Sequence, residues 1–317
     1  GLQRPGVLLA CGGAVLMRRL LLAAAALALA AGPAGAWTRP AHMVTAAIAF
    51  DQLQRETPEL IEPLGRLLDA HPDHGPFEVA IDRSEGRERI RRMFLQCARW
   101  PDDIRRTAQD RPAWHADLAP LGPEAAGHGR YGAATQALAL NYRVLADPNA
   151  TDGERAVALC WMLHVGGDAH QPLHAAQWFS QDFPEGDRGG GFQFVRDPMT
   201  GRPISLHWLW DDSVHRAGDV ESVTARAAEL EGLYPRAALP EAAVRAGPED
   251  FAAWFGEESL PLARSVAYGP DLAAGPNLAH APRVPEAYWM QVREIAARRV
   301  TVAGYRLGDL VRRALED

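Results

Sequence analysis

The segment "LHVGGDAHQPLH", Leu163 to His174, carries His164, Asp168, His170 and His174. Imidazole nitrogens and carboxylate oxygens are the donors that hold divalent transition metals. His164 and Asp168 stand four residues apart, a spacing that puts both on one face of a helix, where they can grip one ion from the same side. The helix is itself legible. Thr151-Asp152-Gly153-Glu154 forms a Ser/Thr-x-x-Glu capping box, and Val157, Cys160, Trp161, His164 and Asp168 follow at three- and four-residue steps. His164 and Asp168 therefore share the apolar face. A carboxylate there costs several kcal/mol unless something pairs with it or coordinates it. Pro172 forbids a continuing helix, so the chain turns and His174 can fold back toward the same region. Taken alone the cluster has a second reading, a hydrogen-bonded His–Asp pair closing a helix end.

Four further stretches offer donors of the same kind. "WTRPAH" contains Trp37 and His42, "ARWPDDIR" contains Asp102, Asp103 and Arg105, "AWHADL" contains His115, and "LHWLWDD" contains His207 with Asp211 four residues on. Each has a local alternative: Asp102 could cap a helix, His115 could sit in a polar loop, and His207 could fill a hairpin. Their joint occurrence favours a metal centre, and the start of the chain adds to it. Met17 opens "MRRLLLAAAALALAAGPAGA", two arginines, an apolar run and the small-x-small triplet Ala34-Gly35-Ala36. That is the layout of a signal peptide, and the run is too short for a membrane span. Residues 1–16 read as upstream read-through, 17–36 as the signal, and 37–317 as one catalytic domain. Cleavage between Ala36 and Trp37 would give Trp37 a free amine with a pKa near 8, and its amine and carbonyl could chelate a metal in a five-membered ring.

Positioning these groups requires a scaffold, and the scaffold reads as helix. Helices are expected near 40–54, 57–70, 86–107, 132–147, 218–232, 248–268 and 285–315, besides the capped central one. Thr57-Pro58 opens the second, and His71-Pro72 stops it. "GGGFQFVRDPMTGRPISLHWLW" has two aromatic and β-branched runs around a Pro/Gly turn and predicts one short β-hairpin near 189–210 on an otherwise all-α single domain. The formal charge of −7 becomes −10 once Arg4, Arg18 and Arg19 leave with the signal, and every cation is an arginine. Such a balance argues against a general duplex-DNA binder working through a basic face. Cys97 and Cys160 survive cleavage, and whether they pair is left open.

The chain resembles the zinc-dependent single-strand nucleases of the S1/P1 nuclease family, relatives of bacterial zinc phospholipases C. The resemblance spans 37–317 and rests on "WTRPAHMVTAAIA", "ARWPDDIR", "WHADLAP", "LHVGGDAHQPLHAA", "GDRGGG", "LHWLWDD" and the closing "AGYRLGDLV". It implies a mostly helical domain with three zinc ions in a cleft. Asp102, His115, His164 and Asp168 would bind one ion; Trp37, His42 and Asp168 a second; His174, His207 and Asp211 the third. Asp168 would bridge the close pair. Asp102 is preferred to Asp103 because the family's ligand lies two residues after the tryptophan. Arg105, at the place of the family's basic residue, would neutralise charge on the phosphate oxygens. Single-stranded RNA, single-stranded DNA and nucleotides are the implied substrates, hydrolysed to 5′-nucleotides, with removal of 3′-phosphate. Duplex DNA would fit poorly, and a monomer in the periplasm or outside the cell is expected.

Three departures stand out. Thr38 and Ala41 replace two glycines, Gly191 replaces the asparagine of a Gly-Gly-Asn, and the family's paired cysteines are missing around "GHGRYGAAT". The missing amide at Gly191 keeps a zinc phospholipase C or broad phosphomonoesterase in view, beside a zinc-holding module without turnover. Tyr131 could stack on a base, although a core position at a helix start is the favoured reading. His170 is read as a partner that orients a zinc ligand. His71, His74, His128, His215 and His280 are expected to be solvated. A His-Asp phosphohydrolase and a haem protein are disfavoured, since the chain has no adjacent His-Asp and no C-x-x-C-H.

Overall fold

The computed structural model describes residues 37–81 and 84–316; the expected read-through and signal segments lie outside the described residues. The described chain is mostly helix: α1 (Arg39–Glu56), α2 (Ile61–Asp69), α3 (His74–Ile81), α4 (Gly86–Asp103), α5 (Ala134–Ala146), α6 (Asp152–Asp168), α7 (Leu206–Asp211), α8 (Val220–Leu233), α9 (Pro240–Val244), α10 (251–267) and α11 (Glu286–Glu316). Every residue of α1 from Ala41 to Phe50 is buried, the mark of a helix at the centre of a domain. α11 lies against it. A Cβ at Gly304 would sit 2.6 Å from Ile48 and 3.0 Å from the Thr45 carbonyl, so glycine sets how closely the two helices cross. α4 and α6 pack together on another side of α1, with α5 covering α6. The Cys97–Cys160 disulfide joins α4 to α6, with Cα atoms 4.6 Å apart.

Several boundaries differ from expectation for local reasons. α4 stops at Asp103, not 107, because Pro101 removes a donor in its last turn. The segment expected at 57–70 begins with a separate 3₁₀ turn, Pro58–Leu60. α10 winds as π turns over Trp254–Ser259 and Ala263–Ala267, on either side of Pro261. α3 and α9 have no counterpart among the helices the sequence predicts.

The hairpin expected near 189–210 is present, shorter than that range and not the only strand pairing among the described residues. Only β4 (Phe194–Arg196) and β5 (Pro203–Ser205) form it, with Val195 opposite Ile204. Ser205 then caps α7, accepting a bond from Trp208 N, so His207 and Asp211 stand on a helix. A second small sheet also exists, in the order β2-β1-β3. In it β1 (Asp117–Leu121) pairs antiparallel with β2 (Tyr131–Gly132) and parallel with β3 (Ala176–Trp178). Its parallel strands start just after His115 and His174, so the sheet brings these distant histidines together. Among the described residues no helix is long and apolar enough to cross a membrane.

Candidate metal centre

Asp168, the last residue of α6, is wholly buried. Its Oδ1 lies 3.2 Å from His42 Nε2, and its Oδ2 lies 3.4 Å from both His115 Nδ1 and His164 Nε2. α1 supplies His42, and the 3₁₀ turn Pro112–His115 supplies His115. His42 and His164 stack with ring centroids 3.8 Å apart. His164 Nε2 also lies 3.0 Å from His115 Nδ1 and 3.9 Å from Asp102 Oδ1. Arg105 donates to Asp102 Oδ1 at 2.6 Å, and its Nη2 lies 3.2 Å from His115 Nδ1. Asp103 turns the other way, paired with Arg39 at 2.8 Å and Arg99 at 2.9 Å. Of the two aspartates, Asp102 is the one that faces the histidine cluster.

The second group adjoins the first, with His174 Nδ1 4.0 Å from Asp168 Oδ2. His207 Nε2 lies 3.1 Å from His174 Nε2 and 3.3 Å from Asp211 Oδ2, and all three side chains are buried. Asp211 Oδ1 accepts a bond from Gln171 Nε2 at 2.7 Å.

The tautomers follow from the partners. A carbonyl can only accept, so His164 Nδ1 donates to Ala98 O, His174 Nδ1 to His115 O and His207 Nδ1 to Gly189 O. Each bond turns the Nε2 lone pair toward its cluster, the usual outer support of a metal-ligating histidine.

These donors fit cations. Both His42 nitrogens, His115 Nε2, both Asp168 oxygens and Asp211 Oδ2 are buried without a hydrogen-bond partner. Burying such groups unpaired is costly. Three sets lie close enough to hold an ion: His42, His164 and Asp168; Asp102, His115 and His164; and His174, His207 and Asp211. Burial drives His42 and His164 down to about 4 and pushes His115 and His174 well below the usual imidazole range. It also pushes Asp168 and Asp211 well above the usual carboxylate range. Asp102 differs: burial raises it, but His164 and Arg105 outweigh that and hold it low. Neutral imidazoles are the form that binds a metal, and a cation would reverse the penalty on the carboxylates.

Trp37 is fully buried beside this centre, its indole donating to Gly167 O at 2.9 Å. The next residue, Thr38, donates its N–H to Asp211 O at 3.4 Å. Other placements depart from expectation. Tyr131 is 60% exposed on β2, so it is not a core residue. His170 is buried but faces Gly166 O and Arg306 Nη1, at 2.7 and 2.8 Å, rather than a ligand side chain. Its carbonyl accepts from Arg299, and Ala169 O accepts from Ser259. The segment after α6 is thus secured by α10 and α11. His71, expected in solvent, is 1% exposed and packs on Phe77 and Trp100 with ring centroids 4.6 and 4.7 Å away. His128 is exposed and stacks on Phe179. Gln171 and Asp187 carry support that no sequence pattern announced, although both lie inside quoted motifs.

The mostly helical domain thus brings together three buried His/Asp groups, each close enough to hold a metal ion. Residues 37–316 match the S1/P1 nuclease family. The chain belongs to that family, which makes it a nuclease-type hydrolase of phosphodiester bonds. No curated protein matches it.

Proposed function

We propose that the chain, exported and cleaved before Trp37, is a zinc-dependent phosphoesterase. It cleaves single-stranded RNA and DNA to 5′-nucleotides and removes 3′-phosphate from nucleotides. Asp102, His115, His164 and Asp168 hold one ion; Trp37 (through its freed amine and carbonyl), His42 and Asp168 hold the second; His174, His207 and Asp211 hold the third. The observation that carries this reading is the convergence of His42, His115 and His164 on the unpartnered oxygens of Asp168. Bound zinc supplies Lewis acidity, lowering the pKa of water toward neutrality and drawing charge from phosphate oxygens.

The protein's own groups do the rest. Arg105, fixed by Asp102, presents the remainder of its guanidinium to a phosphate and favours the charge that builds in the transition state. Neutral His115 and His164 keep their lone pairs on the centre and do not compete as cations. A recessed centre admits a flexible strand and disfavours a duplex. Export is supported by the buried Cys97–Cys160 disulfide, a bond that persists in oxidising compartments.

The test is zinc content per chain with turnover of single-stranded RNA, 3′-AMP and phosphatidylcholine, before and after EDTA. Activity on the first two that is lost to chelation and restored by zinc supports the proposal. Preference for phosphatidylcholine, or no bound zinc, overturns it.

A further inference from the structure

Asp187 is wholly buried, and its side-chain hydrogen bonds run to residues outside the proposed metal ligands. Four donors converge on its carboxylate. Trp178 N and Tyr268 Oη reach Oδ1 at 2.8 and 3.0 Å, while Gly190 N and Gln193 Nε2 reach Oδ2 at 3.0 and 2.9 Å. The Asp187 carbonyl also accepts from Phe192 N at 3.0 Å. An acceptor-only group at this point satisfies every donor around it. Burial lifts the Tyr268 phenol well above its ordinary range, and the charge of Asp187 adds to that, so the phenol stays a donor.

What the hub fixes is the turn 187–193, and two of its carbonyls meet His207: Gly190 O accepts the His207 backbone N–H at 3.2 Å, and Gly189 O meets the ring. Gly189 O accepts His207 Nδ1–H at 2.6 Å. Glycine suits positions 189 and 190 of that turn. Gly189 and Gly190 have φ of +64° and +81°, and a Cβ on Gly189 would stand 2.4 Å from Leu173 O. The chain of support runs from Asp187 through Gly190 N and the turn to Gly189 O, and from there to the ring of His207.

We infer that Asp187 is the positioning residue for His207, holding through the Gly189 carbonyl the tautomer and ring direction by which His207 takes the third ion. This rests on the proposal that His174, His207 and Asp211 bind a metal. A purely structural role, tying Trp178 N to the loop, would lower stability without selecting one ion of three.

The experiment compares the mature protein with Asp187→Asn and Tyr268→Phe. Zinc is titrated out with graded chelator, and the d–d spectrum of the cobalt-substituted protein is recorded. Asn puts an NH2 against two of the four donors. Its weakest zinc should dissociate about 10- to 100-fold more readily, with a changed cobalt band, while the other two ions hold as in wild type. Tyr268→Phe removes one donor and should shift the same ion less; if Asp187→Asn does not fold, this variant decides. Unchanged site-by-site affinity and spectrum in the folded variants, or equal weakening of all three ions, overturns the inference. A wild type without zinc overturns the proposed centre itself, and the two failures are distinct.

Discussion

The end of the centre around Asp168 and the end around His207 use the same donor types on different supports. At the Asp168 end most of the proposed ligands ride on long helices, His42 on α1, Asp102 on α4, and His164 and Asp168 on α6, with His115 on a 3₁₀ turn. Behind them stands an aromatic wall. Trp161 lies 5.5 Å from the His115 ring, 4.9 Å from Trp114 and 6.3 Å from Trp100, which in turn packs on His71. At the other end His174 sits on a 3₁₀ turn and His207 and Asp211 on a six-residue helix. Their backing is polar, through Gln171, Gly189 O and, further out, Asp187. Packing holds the first end in place and leaves both Asp168 oxygens buried without a hydrogen-bond partner. Hydrogen bonds hold the second and satisfy one oxygen of Asp211 in advance. Damage to the wall should therefore appear as lost stability, and damage to the polar backing as lost affinity for one ion.

Asp168→Asn should give the largest effect. It removes the charge on which three histidines converge, so turnover of single-stranded RNA should fall by about 10³ or more, with loss of zinc from the paired sites. The ion of His174, His207 and Asp211 should remain. If metal analysis shows all three sites emptied, the ends are one cooperative unit and the comparison fails.

Breaking the Cys97–Cys160 bond by paired serine substitution tests the helical end. The bond closes a sequence separation of 63 residues, for which chain-entropy arguments give about 4 kcal/mol of stability. Urea unfolding should show that loss, while zinc affinity at the His207 end, measured below the transition, stays near wild type.

His71 supplies a pH handle on the same wall. Burial lowers its pKa to about 4 from an ordinary 6.5. The unfolded chain takes up the proton first, so the stability it contributes is whole above about pH 6.5 and is lost as pH falls toward 4. The shift corresponds to about 3 kcal/mol. Relative to His71→Gln, wild type should lose that much more stability between pH 7 and pH 4 in urea titrations. Parallel curves for the two proteins would show that the wall does not feel this charge.

The contrast also explains what could be read in advance. His164/Asp168 and His207/Asp211 are legible because four-residue spacing is a local property of a helix, although the aromatic and β-branched runs before His207 suggest a hairpin there. Adjacent Asp102 and Asp103 are separated in the sequence only by the family resemblance; in the fold they part because one faces Arg105 and the other faces Arg39 and Arg99. The cysteine pairing, the burial of His71 and the hub at Asp187 depend on segments brought together only by folding. Tyr131 looked like a core residue because its helix was expected to start at 132. The helix starts at Ala134, and the ring is left on an exposed strand.

Gln171 gives the smallest and most selective test of the polar end. Its Nε2 donates to Asp211 Oδ1, and its Oε1 accepts from Leu173 N, closing the turn that carries His174. One amide thus reaches two of the three ligands at that end and none of the ligands around Asp168. In Gln171→Leu the apolar chain fills similar space, Asp211 Oδ1 loses its donor, and Leu173 N loses its acceptor. The ion held there should bind about 10-fold more weakly, so turnover should be recovered by added zinc and the melting temperature of the zinc-loaded protein should barely move. A fall in stability that zinc does not repair would mean that Gln171 serves packing, and that the two ends differ less than their partners suggest.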